Sequence, residues 1–375
     1  MSGIPYIDLF GGIGGFKLGI QGTMGKATCE WYCDNDVHAT AIYNHNFRED
    51  WKPTDIRDVH VRDIPDHRLL CAGFPCQAHS WAGLRRGFCD PRGQLFFEIE
   101  RIIRHHQPEV ILLENVKGLL SSDRGRVFAR ILDTLRDCGY VGEWCCVNST
   151  AFVPQNRERI YIIGYLGGEP RGAILPFADR NGEPYQTCME AQEKRKRVWG
   201  YPANAIQQRD YKSGAMQFVV QPRPCLTKNR WGKEPNGRYF GDVGEPMFSL
   251  TTQNNKGVCI QRSVRPATCA CITPERQQKR QNGRRFKDAG EPMFTLTAND
   301  VHGVLLHDGL EYIIRKLTPL EYDRLQGFPD NWTAFGSYDG VVKPVSKSQR
   351  YRVCGNAVSV PAISAIARQI QKVLT

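Results

Sequence analysis

Residues 4–16, "IPYIDLFGGIGGF", hold a short apolar run, two glycines, an isoleucine and two more glycines that open onto the amphipathic segment "FKLGIQG". A strand closed by glycines and followed by a helix is a place where the backbone approaches a ligand closely at a helix N-terminus. The spacing is not the G-x-G-x-x-G of dinucleotide sites, which argues against a nicotinamide-dependent oxidoreductase. The stretch predicts an α/β fold with a nucleoside-like ligand beyond the first strand.

Working outward, three more apolar runs follow: "DHRLLCAGF" (66–74), "PEVILLENV" (108–116) and "RERIYIIGYL" (157–166). Between them lie "QLFFEIERIIRHH" and "RVFARILDTLRDCGY", whose apolar residues recur at three and four, the period of an amphipathic helix. Buried strands alternating with such helices predict a mostly parallel, Rossmann-like sheet covered on both faces. Asp34 in "WYCDND" falls about 20 residues past the glycine turn, where a carboxylate suits ribose hydroxyls. Asp55 in "PTDIRDV" closes the next unit, and each of the two is also compatible with an ordinary turn aspartate. In "LLCAGFPCQAHS" (69–80) an apolar strand ends in a proline-stiffened loop that presents Cys76, a placement suited to a nucleophile.

The chain has 375 residues, enough for two domains. No stretch reaches the roughly 18 consecutive apolar residues of a membrane span, and "MSGIPYIDLF" lacks the order of a signal peptide. A soluble, cytoplasmic protein with no membrane association is expected. The 14 cysteines are scattered, without a C-x-x-C pair, and no metal is expected. A net charge of +11 favours a polyanionic partner. Residues 166–310 contribute 22 Lys and Arg against 14 Asp and Glu, so the excess concentrates in the middle of the chain. There, after Gly168, helical periodicity fades and a unit recurs: "GRYFGDVGEPMFSLTTQNNKGV" from Gly237 and "GRRFKDAGEPMFTLTANDVHGV" from Gly283. Each copy couples turn residues to a short β-prone run. Helical signals return in "LTPLEYDRLQGF", with Thr318 as N-cap, Pro319 in the first turn and Gly327 at the C-terminal cap, and then in "SVPAISAIARQIQKVL".

In order, "DLFGGIGGF", "TDI", "GFPCQAHSWAG", "DPRGQLFFEI", "ENV", "PQNRERIY", "LTPLEYDRLQGFP" and "GNAVSVPA" resemble the motif series of the cytosine-C5 DNA methyltransferases. The resemblance covers residues 4–165 and 315–375 and leaves the middle unmatched, where that family carries its variable target-recognition region. It implies a catalytic S-adenosylmethionine-binding domain of residues 1–168 plus 346–375 and a smaller, β-rich target-recognition domain of residues 169–345. Phe10, Gly12, Gly14, Asp34, Asp55, Ile56, Pro75, Leu95, Asn356 and Val358 would form the cofactor pocket, which releases S-adenosylhomocysteine. Gln77, Ser80 and Arg92 would lie near the DNA. The implied partner is duplex DNA, bound by a monomer of a prokaryotic or phage-encoded enzyme that needs no physical complex with a cognate restriction endonuclease. Ala357 stands where many relatives have serine.

The chemistry accounts for these residue types. Cytosine C5 is a poor nucleophile until something adds to C6, and a thiolate is the strongest side-chain nucleophile near neutral pH. Cys76 is the expected nucleophile. Glu114 ends a buried strand, a setting that raises a carboxyl pKa and lets it donate, and the resemblance implies that it contacts N3 and the exocyclic amine. Arg157 and Arg159 alternate with Glu158 and so face one way on a strand. The resemblance assigns Arg159 to cytosine O2 and Arg157 to holding the pocket; an ion pair with Glu158 is the alternative. A base stacked in a duplex must be extruded to reach Cys76, which calls for a basic cleft between the domains. An RNA-modifying enzyme with the same catalytic set, or a noncatalytic DNA-binding relative, remain the competing classes.

Overall fold

The computed structural model describes residues 3–75, 95–167, 198–199, 222–225, 257–260, 267–272, 286–288, 290–297, 302–307 and 312–374. They divide into two compact units, one of Met1–Asp210, Thr295–Asn299 and Thr318–Thr375 and one of Tyr211–Phe294 and Asp300–Leu317.

In the first unit, β1 (Ile4–Leu9), α1 (Gly15–Gln21), β2 (Ala27–Cys33), α2 (Val37–Phe47), β3 (Leu69–Gly73), α3 (Leu95–His106), β4 (Val110–Val116), α4 (Arg126–Asp137), β5 (Tyr140–Asn148), β6 (Glu158–Leu166) and β7 (Val198–Trp199) follow one another. The sheet runs in the order β2-β1-β3-β4-β6-β5-β7. β2, β1, β3 and β4 pair in parallel and β6 is antiparallel to both β4 and β5. Successive side chains on a strand face opposite sides, and the two layers of the core follow from it. Tyr6, Leu69 and Leu112 pack with Phe16 and Ile20 of α1, whereas Ile7, Leu70 and Ile111 pack with Ile99 and Ile103 of α3 and Ile131 and Leu135 of α4.

The unit is completed by α5 (Pro319–Gln326), a hairpin of β13 (Phe335–Tyr338) and β14 (Val341–Pro344), α6 (Lys347–Asn356) and α7 (Val360–Leu374). Between these and β7 the chain forms β8 (Pro222–Cys225), β9 (Gly257–Ile260), β10 (Ala267–Ile272), β11 (His302–His307) and β12 (Tyr312–Lys316). α5 carries the expected N-terminal signals: Thr318 and Glu321 form a reciprocal capping box, Pro319 opens the helix and Gly327 closes it in the left-handed region. α7 covers the face that α1 leaves open, burying Ile363, Ile366 and Ile370. Burying each such side chain stabilises by roughly 1.5–3 kcal/mol, enough to dock a terminal helix far away in sequence.

Residues 318–345, which the expected domain division places in the smaller domain although the motif series reaches them, belong to the first unit. The physical reason is a third buried cluster, in which Phe328, Trp332 and Val345 pack with Ile13 and Ile42. Trp332 Nε1 donates to Ile13 O at 2.9 Å and His38 Nδ1 meets Tyr338 OH at 2.8 Å. The second unit's described elements are all strands: an antiparallel β10-β11-β12 sheet and the β8-β9 pair. Of the repeat, the first copy lies outside the described residues apart from Gly257 and Val258. In the second, Lys287 Nζ donates to Pro292 O at 2.6 Å and lies over the Phe294 ring at 4.8 Å, closing the turn on itself.

Candidate active site

Three parallel strands end side by side, and their ends build the site. β3 and β4 pair with Gly73 opposite Glu114, and Glu114 lies opposite Tyr161 of β6. Glu114 is only 8% exposed. Arg159 Nε lies 3.1 Å from its Oε1. Burial pushes the carboxyl pKa upward and the charges of Arg159 and Arg157 pull against that shift, with burial prevailing. A carboxyl so placed keeps its proton where an exposed glutamate has lost it. Glu158 does not pair with either arginine side chain: Lys117 Nζ binds both of its carboxylate oxygens at 2.8 Å, and Arg159 takes only its backbone oxygen, also at 2.8 Å.

Arg157 is 2% exposed and its guanidinium is committed to three carbonyls, Leu296 O at 2.9 Å, Gly355 O at 3.2 Å and Ala357 O at 2.6 Å. Burial, reinforced by Arg159, lowers its pKa to about 9. Of the two arginines, Arg159 therefore has the guanidinium beside Glu114, and Arg157 binds backbone.

Beyond Gly73 the chain continues through Phe74 and Pro75 towards Cys76. Asn115 Nδ2 donates to Phe74 O at 2.9 Å and fixes the strand end from which that loop departs. Cys76 itself, with Gln77, Ser80 and Arg92, lies outside the described residues. Pro75 is exposed.

At the end of β1 the glycine turn takes the conformation its residues permit. Gly12 has φ +55° and a Cβ built there would meet nothing within 4 Å, so the backbone faces open space. Phe10 also has a positive φ, 53°, which is uncommon for a bulky residue and is held by its neighbours. Asp34 accepts the amides of Gly12 and Asp36 at 2.8 Å each, and burial raises its pKa to about 6. Tyr32 OH donates to Gly12 O at 2.8 Å from the other side. Phe10 and Leu95 both pack on the large apolar cluster that contains Ile56. Asp55 is engaged locally: Arg57 donates to it from Nε at 2.9 Å and NH2 at 2.6 Å, and the pair lowers its pKa to about 2. Val358, 7% exposed, returns from the far end of the chain to the turn. A Cβ on Gly15 would stand 2.6 Å from its Cγ2, and one on Gly73 3.8 Å from its Cγ1. Asn356 is exposed beside it.

Two arrangements escape the motif reading. Gln326, wholly buried, donates to Cys354 O at 3.0 Å, and Arg352 makes a bidentate pair with Asp36, the N-cap of α2, with NH2 at 2.9 Å from Oδ1. Neither has a local sequence signal, because the partners are distant in the chain. Asn115 lies within the quoted "ENV" and was within reach of the motif. Among the described residues no group of three or more His, Cys, Asp or Glu could hold a metal ion, and no helix is long and apolar enough to cross a membrane.

A glycine-turned, mostly parallel sheet with a buried glutamate–arginine pair at an adjoining strand end defines an α/β protein whose candidate site lies at the ends of its strands. The C-5 cytosine-specific DNA methylase family matches residues 4–372, and the chain belongs to that family. It is a DNA cytosine-C5 methyltransferase. Type II methyltransferase M1.ScrFI of Lactococcus lactis subsp. cremoris is 35% identical over 98% of this chain and 78% of its own length. M.HpaII of Haemophilus parainfluenzae is 36% identical over 97% and 88%, and M.NlaX of Neisseria lactamica 31% over 98% and 96%. The fold is shared with the Dnmt2 methyltransferase of S. pombe, at a TM-score of 0.58, 20% identity and 99% coverage of both chains.

Proposed function

We propose that this chain methylates a flipped-out cytosine in a specific duplex sequence through a covalent bond between Cys76 and C6, with S-adenosylmethionine as donor, and that it serves restriction-modification or comparable DNA protection. The observation that carries the reading is the buried Glu114–Arg159 pair, with Glu114 set in register with Gly73, three residues before Cys76. A protonated Glu114 donates to N3 as the Cys76 thiolate adds to C6, so the ring gains no net negative charge and its π electrons collect at C5. Arg159 holds O2. After C5 is alkylated, its proton goes to solvent base, the S–C6 bond breaks with return of the electron pair to sulfur, and Glu114 recovers its proton from N3.

The donor fits the glycine turn. Gly12 leaves open space where a side chain would stand, Asp34 presents a carboxylate beside it for ribose hydroxyls, and Phe10, Ile56 and Leu95 offer an apolar wall for adenine. When bound there, S-adenosylmethionine supplies an electrophilic methyl group and leaves as S-adenosylhomocysteine. Action as a monomer without a resident endonuclease is part of the same proposal. The bacterial sources of the relatives support a prokaryotic cytoplasmic setting.

Plasmid DNA substituted with 5-fluorocytosine, whose C5 fluorine blocks the final elimination, tests the covalent step. The unaltered chain is expected to form a denaturation-resistant adduct, and Cys76→Ser to form none while still binding S-adenosylhomocysteine. An adduct that survives Cys76→Ser removes Cys76 from the mechanism.

A further inference from the structure

The last carbonyls of a helix have no partners within it and must find them elsewhere. At the end of α6, where the chain turns into α7, two buried side chains from distant elements supply donors. Gln326, the final residue of α5, lies with Nε2 3.0 Å from Cys354 O and 3.5 Å from Ala357 O. Arg157, entering β6, takes Gly355 O at 3.2 Å and Ala357 O at 2.6 Å. Between them they hold a four-residue elbow by three of its carbonyls. The next residue, Val358, is the one wedged against Gly15 and close to Gly73. Among the described residues neither the amide nor the guanidinium hydrogen-bonds to the glycine turn, and their route to it runs through the backbone of residues 354–358.

We propose that Gln326, acting with Arg157, is a positioning residue for the cofactor pocket: its grip on the 354–357 carbonyls holds Val358 against the glycine turn. The inference rests on the reading that S-adenosylmethionine binds at that turn. Gln326 is the better probe of the two, because Arg157 also lies in the field of Glu114 and Arg159. Removing its donor takes the side-chain hydrogen bond from Cys354 O, which keeps only the amide of Ala357 at 3.2 Å, and the elbow, tied to α5 no longer, is expected to relax away from the turn.

Gln326→Met keeps the volume and removes the donor, and Gln326→Asn keeps an amide one methylene short. Binding of S-adenosylhomocysteine by calorimetry, single-turnover methylation at saturating cofactor, and thermal melting are measured on the full chain. The Met variant is expected to bind about 10-fold more weakly, with a saturated rate within about 3-fold of the unaltered chain, and the Asn variant to fall between. A folded variant whose affinity stays within about twofold, or whose saturated rate drops as far as its affinity, overturns the positioning role. Should Gln326→Met not fold, the Asn variant decides by the same two readings. If the unaltered chain binds no S-adenosylhomocysteine, the cofactor site itself is overturned, a result distinct from failure of the grip.

Discussion

Asp34 shows how one residue serves both fold and ligand. Its two oxygens accept the amides of Gly12 and Asp36 and so shape the turn, and the same carboxylate is the one proposed for ribose hydroxyls. With its pKa raised to about 6, it gains a proton just below neutrality. Ribose hydroxyls donate to the charged form, so cofactor affinity should be level above about pH 7 and fall about 10-fold by pH 5, one unit below that pKa. Asp34→Asn should bind more weakly at pH 8 and lose this dependence. Calorimetric titration of S-adenosylhomocysteine from pH 5 to 8 checks it, and a level affinity through that range in the unaltered chain would exclude Asp34 from the pocket. Such residues are legible in sequence because the chemistry demands their type near a recognisable turn. Gln326 and Arg352 are not, since their partners lie 28 and 316 positions away and nothing local distinguishes them from surface residues.

At the scale of elements, α1 and α7 meet at a contact that admits no side chain. A Cβ on Gly19 would stand 2.7 Å from Cγ2 and 2.8 Å from Cβ of Ile363, itself fully buried. Helix propensity favours alanine over glycine by about 1 kcal/mol, whereas overpacking a closed core costs about 1–3 kcal/mol. Because the obstructing atoms include a branched Cβ fixed to its helix, the second effect should win and Gly19→Ala should lower the melting temperature. A melting temperature equal to or above that of the unaltered chain would show that α7 yields. β1, β3, β4 and β6, with α1, α3, α4 and α7, were legible as runs of one period, and α5 because its capping residues are explicit, whereas β2, β5, α2 and α6 carry no such run. The β13–β14 hairpin has its own signal, Asp339-Gly340 with φ 46° and 79°, the pairing that a tight two-residue turn requires. What sequence could not settle was that residues 318–345 belong with the sheet. That follows from Trp332 reaching Ile13, a contact 319 positions apart.

For the molecule as a whole, charge is the property most directly tied to its substrate. The chain carries a net +11, and residues 166–310 hold 22 basic against 14 acidic side chains, while the cofactor turn and base site need few of them. Cations that neutralise backbone phosphates release condensed counterions, and each such contact adds about 0.9 to the slope of log affinity against log salt. The run Lys194, Arg195, Lys196 and Arg197 is the densest in that region. Changing all four to glutamine should lower duplex affinity at low salt and reduce the slope by up to about 3.6, if all four meet phosphates. Affinity for S-adenosylhomocysteine should stay within about twofold, because the site proposed for it lies at the strand ends of the first unit. Fluorescence anisotropy of a labelled duplex across a salt series, paired with cofactor calorimetry, separates the two effects. An unchanged salt slope would remove this run from the DNA-binding surface, and a matching loss of cofactor affinity would show that the substitution had damaged the fold instead.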